Sequence, residues 1–140
     1  MKRSGIVTAI KTLVEANSYS FNQGFIYRIN EYTGTYPVWM LTPIRLQDRK
    51  RDGSGSKSVY LCEAYIFTKN EATTETGKET IWEAQETLAS KVFNGLDTLS
   101  RTTSDIMEVS GLSCEPDEFQ IDQRGSISMK VSFTIKVYDC

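Results

Sequence analysis

Ser126-Ile127-Ser128-Met129-Lys130-Val131-Ser132-Phe133-Thr134-Ile135-Lys136-Val137 is the stretch that decides the fold. Successive side chains of a β-strand point to opposite faces. The run therefore sets Ile127, Met129, Val131, Phe133, Ile135 and Val137 on one face and only Ser, Thr and Lys on the other. Each of the six apolar side chains is worth roughly 1.5–3 kcal/mol when taken out of water. One face therefore needs a cover and the other does not, as in a mostly antiparallel sheet packed against helices on one side.

Two segments upstream can supply that cover. In residues 78–99, Ile81, Gln85, Leu88, Ala89, Val92, Phe93, Leu96 and Leu99 follow the helical period, with charged and hydroxyl residues between them. Gly95, inside this pattern, marks an early end or a close contact. Residues 4–17 carry Ile6, Ile10, Leu13 and Val14 at three- and four-residue spacing, with Ser4 as the expected N-cap and Asn17-Ser18 as the stop.

The strands that complete the sheet are read around these helices. Residues 58–68 are apolar on both faces, as in a central, doubly covered strand, with Glu63 the exception. Residues 24–46 are expected to form an aromatic-rich β-hairpin. Phe25, Tyr27 and Ile29 share a face of its first strand, 32–37 form the turn, and Val38 begins the return. Pro43 has no N–H, which calls for an edge or a bulge. After a polar connector at 70–76 and the long helix come strands at 106–112 and 118–122, then a turn at 123–125. The expectation is one α+β domain over residues 1–140, in the order α-β-β-β-α-β-β-β, a mostly antiparallel sheet packed against two helices.

Between the hairpin and the central strand lies the most unusual composition in the chain. Residues 45–57 hold Arg45, Arg49, Lys50, Arg51 and Lys57 against Asp48 and Asp52, with Gly53-Ser54-Gly55-Ser56 near the end. Ordering a backbone costs roughly 1–2 kcal/mol per residue, and Leu46 is the single large apolar side chain here to offset it. The expectation is a flexible basic loop that docks on a partner, set against the plainer reading of a solvated loop tip. No aromatic residue interleaves the charges, so stacking on single-stranded nucleic acid is not signalled.

Composition narrows the chemistry. The chain has no histidine, which removes Ser-His-Asp and Cys-His sites, histidine bases and nearly all common transition-metal sites. Cys62, Cys114 and Cys140 are widely spaced and odd in number, against both a disulfide framework and a zinc site. No glycine-rich phosphate fingerprint occurs. The expectation is therefore a non-enzyme with no cofactor, no metal and no catalytic residues. Glu63 is the best lone candidate for a perturbed carboxylate, and its plainer reading is a pair with an Arg or Lys of a neighbouring strand. A formal net charge of −2 makes the whole chain a poor non-specific nucleic-acid binder. The first apolar stretch is broken by Thr8, Lys11, Thr12 and Glu15, and no run reaches the roughly 18–20 apolar residues of a membrane span. Synthesis in a cytoplasm-like compartment, with no membrane partner, is expected. The residues singled out for partner binding are Arg45, Arg49, Lys50, Arg51 and Lys57, with Tyr36 and Trp39 as aromatic anchors or, more plainly, as core.

An N-terminal helix Gly5-Ile-Val-Thr-Ala-Ile-Lys-Thr-Leu-Val14, a long helix around Thr80-Ile-Trp-Glu-Ala-Gln-Glu-Thr-Leu88 and the closing run Ser126-Ile-Ser-Met-Lys-Val-Ser-Phe-Thr-Ile-Lys-Val-Tyr138 form an arrangement. In size and element order it resembles the tail-terminator and tail-completion (neck ring) proteins of tailed bacteriophages, over nearly the whole chain. The resemblance implies a structural virion protein, made in the host cytoplasm, that forms a ring of six or twelve copies and joins the tail to the head-side connector by contacts with neighbouring neck or tail proteins. It brings no catalytic residues. The near-neutral composition offers no support for a DNA-lined lumen. The alternative from a different class is a monomeric binding module whose basic loop and aromatic hairpin hold an acidic protein or nucleic acid.

Overall fold

A computed structural model of the chain describes residues 2–52, 55–69, 75–102, 105–117 and 126–139. The elements in chain order are α1 (Arg3–Ala16), β1 (Ser20–Gln23), a short 3-10 helix (Ile26–Glu31), β2 (Val38–Leu41), β3 (Arg45–Asp52), β4 (Gly55–Thr68), α2 (Glu75–Thr102), β5 (Ile106–Asp117) and β6 (Ile127–Asp139). They form an α+β fold of two helices and one six-stranded, mostly antiparallel sheet.

β4 and β6 are the spine. They pair without a break from Ser56↔Asp139 to Thr68↔Ile127, so the alternation of β6 is carried straight onto β4. Cys62 stands opposite Phe133 and Ala64 opposite Val131, and this face is sealed by Ile6, Ile10 and Val14 of α1 and by Leu88, Ala89, Val92 and Leu96 of α2. All six apolar residues of β6 named above are buried. The other face of β4 meets a second, smaller core of Ile29, Val38, Met40 and Phe67 beneath the 3-10 helix. The central strand is thus covered on both sides at its C-terminal half, as its composition requires.

β2 and β3 lie along the same edge of β4, one after the other. β2 pairs with residues 64–67 and β3 with residues 55–61. The chain steps aside between them at Thr42-Pro43-Ile44, where Pro43 has no N–H to give. Thr42 still holds the sheet, because its backbone N–H and its hydroxyl both donate to the Glu63 carbonyl, at 3.0 and 2.7 Å. Arg3 of α1 donates to the Ile44 carbonyl at 2.8 Å, tying the helix to the same step.

Several local expectations are corrected. Residues 25–29 are not the first strand of a hairpin. β1 already occupies the outer side of β2, in parallel pairing from Ser20↔Val38 to Gln23↔Leu41. With that lane filled, the following residues coil into the 3-10 helix and bury Ile29, while Phe25 is left 53% exposed. Gly24, at φ +151°, makes this departure, in a region of backbone space that glycine enters freely. Residues 45–52 are a strand rather than a flexible loop, because seven of these eight residues pair with β4, and pairing does not require an apolar face. Ser4 lies inside α1, whose N-cap is Lys2 and whose first bond runs from the Gly5 N–H to the Lys2 carbonyl at 2.9 Å. α1 does stop at Asn17-Ser18, with Ser18 at φ 65°. The expected strand at 118–122, the turn at 123–125, most of the connector at 70–76 and Cys140 lie outside the described residues.

Gly95 marks a close contact, not an end. A Cβ built there would sit 2.6 Å from Leu13 Cδ2, so α1 comes close to α2 at a position with no side chain. Gln85 enters the core alongside the apolar stripe and is fully buried. Its Nε2 lies 3.2 Å from the Ile66 carbonyl, 3.1 Å from Thr68 Oγ1 and 3.0 Å from the Ile127 carbonyl. Trp82 Nε1 donates to the Ser128 carbonyl at 3.2 Å. Together these two side chains pin α2 to the start of β6 and the end of β4.

Candidate functional site

The basic residues sit on the β3–β4 hairpin, and strand alternation divides them. From the register, Arg45 (opposite Leu61), Asp48 (opposite Val59) and Lys50 (opposite Lys57) lie on the face away from the helices. Arg49 (opposite Ser58) and Arg51 (opposite Ser56) lie on the helix side. Every side chain from Arg45 to Arg51 is exposed. Arg49 Nε donates to Ser58 Oγ at 3.0 Å, and Lys50 Nζ is 3.9 Å from Asp48. Lys50 and Lys57 face each other directly, an unfavourable cross-strand pair that a protein keeps only where something else uses the charge or where solvent screens it.

Arg45 has a fixed partner. Its guanidinium reaches Glu63 Oε1 at 2.7 Å, while Lys130 Nζ of β6 reaches Glu63 Oε2 at 3.1 Å. The Glu63 side chain, only 15% exposed, is thus clamped from both neighbouring strands. The bond from Glu63 holds the Lys130 ammonium above its ordinary pKa. This ion chain is the strand-to-strand pairing that the plainer reading of Glu63 expected, and it commits the carboxylate to structure.

Beside the clamp, where β1 has left the edge, lies a cleft of about 390 Å³ lined by Phe25, Ile26, Thr42, Pro43, Ile44, Arg45, Glu63 and Tyr65. One wall is apolar, with Phe25 exposed on it, and the other carries the Arg45–Glu63 pair. It can hold an apolar side chain or a chain end. Its charged groups already neutralise each other, so it offers no base or nucleophile held ready for chemistry.

The aromatic anchors do not join this surface. Trp39 is fully buried in the helix-side core and is therefore corrected from a surface anchor to a core residue. Tyr36 is half-buried at the margin of the smaller core, 5.6 Å from Tyr32 between ring centroids. It precedes Val38, which pairs with Phe67, whereas β3 pairs with residues 55–61, so Tyr36 and the basic hairpin lie toward opposite ends of β4. Phe25, the exposed aromatic at the cleft, was hidden by the expectation of a hairpin. The acidic run of β5, with Glu108, Glu115 and Asp117, was likewise not read as a surface, because its place at the far edge comes from topology.

No family model matches the chain, and no curated protein matches its sequence.

Proposed function

We propose that this protein is a structural subunit of an oligomeric ring at the neck or tail of a tailed phage, joining tail to head-side connector through protein contacts. The observation that carries the reading is the β3–β4 hairpin. It presents an exposed, strongly charged edge strand with no strand on its outer side among the described residues. An open edge is a template for pairing with another chain and a liability in a protein that works alone. A ring gives that edge a neighbour. The ion-paired state of Glu63 and Arg45 fits the same reading, since the cleft beside the hairpin holds no poised catalytic pair.

The runner-up, a binding module for nucleic acid, is less well served. Alternation splits the five basic side chains between two faces of the ribbon, so no single groove collects them. A protein using all five against phosphates would show a log–log salt slope near −4 to −5 in DNA binding.

Light scattering of the purified chain over a range of concentrations tests the ring. The expected result is a discrete mass of six or twelve times 15.8 kDa. A protein that stays at one subunit mass up to millimolar concentration removes the ring reading and leaves the binding module.

A further inference from the structure

The lane outside β2 is vacated at Gly24. β1 fills it from Ser20 to Gln23, and a last bond runs from the Gly24 N–H to the Leu41 carbonyl at 3.0 Å. β2 and β3 follow one another along the same edge of β4. The lane that β1 leaves therefore continues outside β3, where no strand lies among the described residues. We propose that this lane takes an extended acidic segment of a partner protein, added as one more strand. The proposal rests on the β3 edge being a contact surface, as in the ring reading above, and names what that surface receives.

The entrance to the lane is apolar on both faces. Phe25, at 53%, and Leu46, at 45%, are the two most exposed large apolar side chains among the described residues. Phe25 lines the cleft with Glu63 and Tyr65, on the face away from the helices. Leu46, opposite Tyr60, lies on the helix side. Adjacent strand residues point to opposite faces, so two consecutive apolar side chains of an incoming strand meet both. Further along, Arg49 and Arg51 share the helix side and are exposed. On the other face Lys50 lies 3.9 Å from the Asp48 carboxylate, which leaves less charge to answer there. Acidic residues at every second place of the incoming strand, all on the helix side, therefore meet Arg49 and Arg51. Guanidinium groups suit this role, because their fork of donors matches a carboxylate.

The backbone of the edge favours a polypeptide over a nucleic acid. Main-chain N–H and C=O groups along an open strand are matched by those of another extended chain. Phosphates can accept from the N–H groups but leave the carbonyls facing negative charge.

The test titrates the full-length protein, read by amide NMR, with a blocked peptide of about ten residues, the length of a long strand. The peptide bears two adjacent leucines at one end and glutamate alternating with threonine at the other, and is made in both chain directions. One direction is expected to bind, with shifts in β3 and around Phe25. Arg49→Glu/Arg51→Glu, its fold checked by thermal melting, is expected to bind this peptide about tenfold or more weakly and to take the version with lysine for glutamate instead. N-methylation of one alternate set of peptide amides is expected to abolish binding and that of the other set to spare it, because only one edge of an added strand is bonded. No binding in either direction, equal effects from both N-methylated sets, or unchanged binding by the charge-reversed variant overturns the proposal. An oligonucleotide that shifts the same amides at lower concentration than the peptide assigns the edge to nucleic acid and overturns it too. If the reversal prevents folding, Arg49→Gln/Arg51→Gln takes its place, with the same weakening expected. Solution mass separates this contact from the ring. A ring whose mass and β3 amides the peptide leaves unmoved overturns the added strand alone, and a protein of one subunit mass that takes the peptide overturns the ring alone.

Discussion

Cys62 and Glu63 are neighbours in β4 with opposite fates, because adjacent strand residues face opposite sides of the sheet. Cys62 points into the helix-side core, fully buried, and loss of water pushes its thiol up to about 12, with the nearby Arg3 guanidinium pulling the other way. A thiol whose pKa is higher folded than unfolded stabilises the fold fully below about pH 9, where both states keep the proton. Above that the unfolded chain releases its proton first, so this contribution drains away as the pH rises from about 9 toward 12. At pH 8 Cys62 should therefore resist alkylation in the native protein and react once denaturant unfolds the chain, as read by mass mapping of the labelled peptide. Labelling of Cys62 in the native state at the rate of an exposed thiol would show that the core is open there. Glu63, one residue on, faces the other side and finds Arg45 and Lys130. That it would pair with neighbouring cations was readable from a lone carboxylate in an apolar strand. Which cations it would meet was not, since Lys130 is 67 positions away in the chain.

At the scale of elements, α2 is held by two features that a helical wheel ranks low. Gln85 spans the top of the β4–β6 pair with three acceptors around one amide nitrogen. Replacing it by leucine leaves buried carbonyls without a donor, at a cost of about 1–3 kcal/mol. Urea unfolding of Gln85→Leu should show a lower midpoint with an unchanged slope, and an unchanged midpoint would mean these bonds contribute nothing. Gly95 works by absence. Gly95→Ala gains about 1 kcal/mol of helix propensity and has only the tip of Leu13 to move, so it should be near neutral. Gly95→Leu drives α1 away and should lose about 1–3 kcal/mol, most of it recovered when Leu13→Ala is added. Additive effects in that double-mutant cycle would deny the contact. The helices and the β4–β6 pair were legible because long periodic patterns report burial directly. The 3-10 helix at Ile26–Glu31 and the basic strand β3 were not. Residues 25–29 have the composition of a strand, but β1 had taken the place where such a strand would pair. β3 has the composition of a loop, but it follows β2 along a partner long enough to pair with both.

For the whole molecule, the amino-acid sequence by itself determined the class of fold. It specified one wet and one apolar face on the last strand, a doubly covered central strand, two amphipathic helices, and the absence of histidine chemistry. Each of these follows from the order of side chains along one segment, whatever that segment touches. Only the tertiary structure decided where the edges lie and what they carry. β1 in parallel beside β2, β3 continuing along β4, and β5 alone at the far side are outcomes of which lanes remain open after the β4–β6 spine has formed. The candidate surface inherits that division. The positive charge of residues 45–57 was plain in the sequence, whereas its split between two faces and its place on an open edge depend on backbone pairing between distant segments. Main-chain hydrogen bonds are the same for every residue type but proline, so a single strand's sequence leaves its lane in the sheet undetermined.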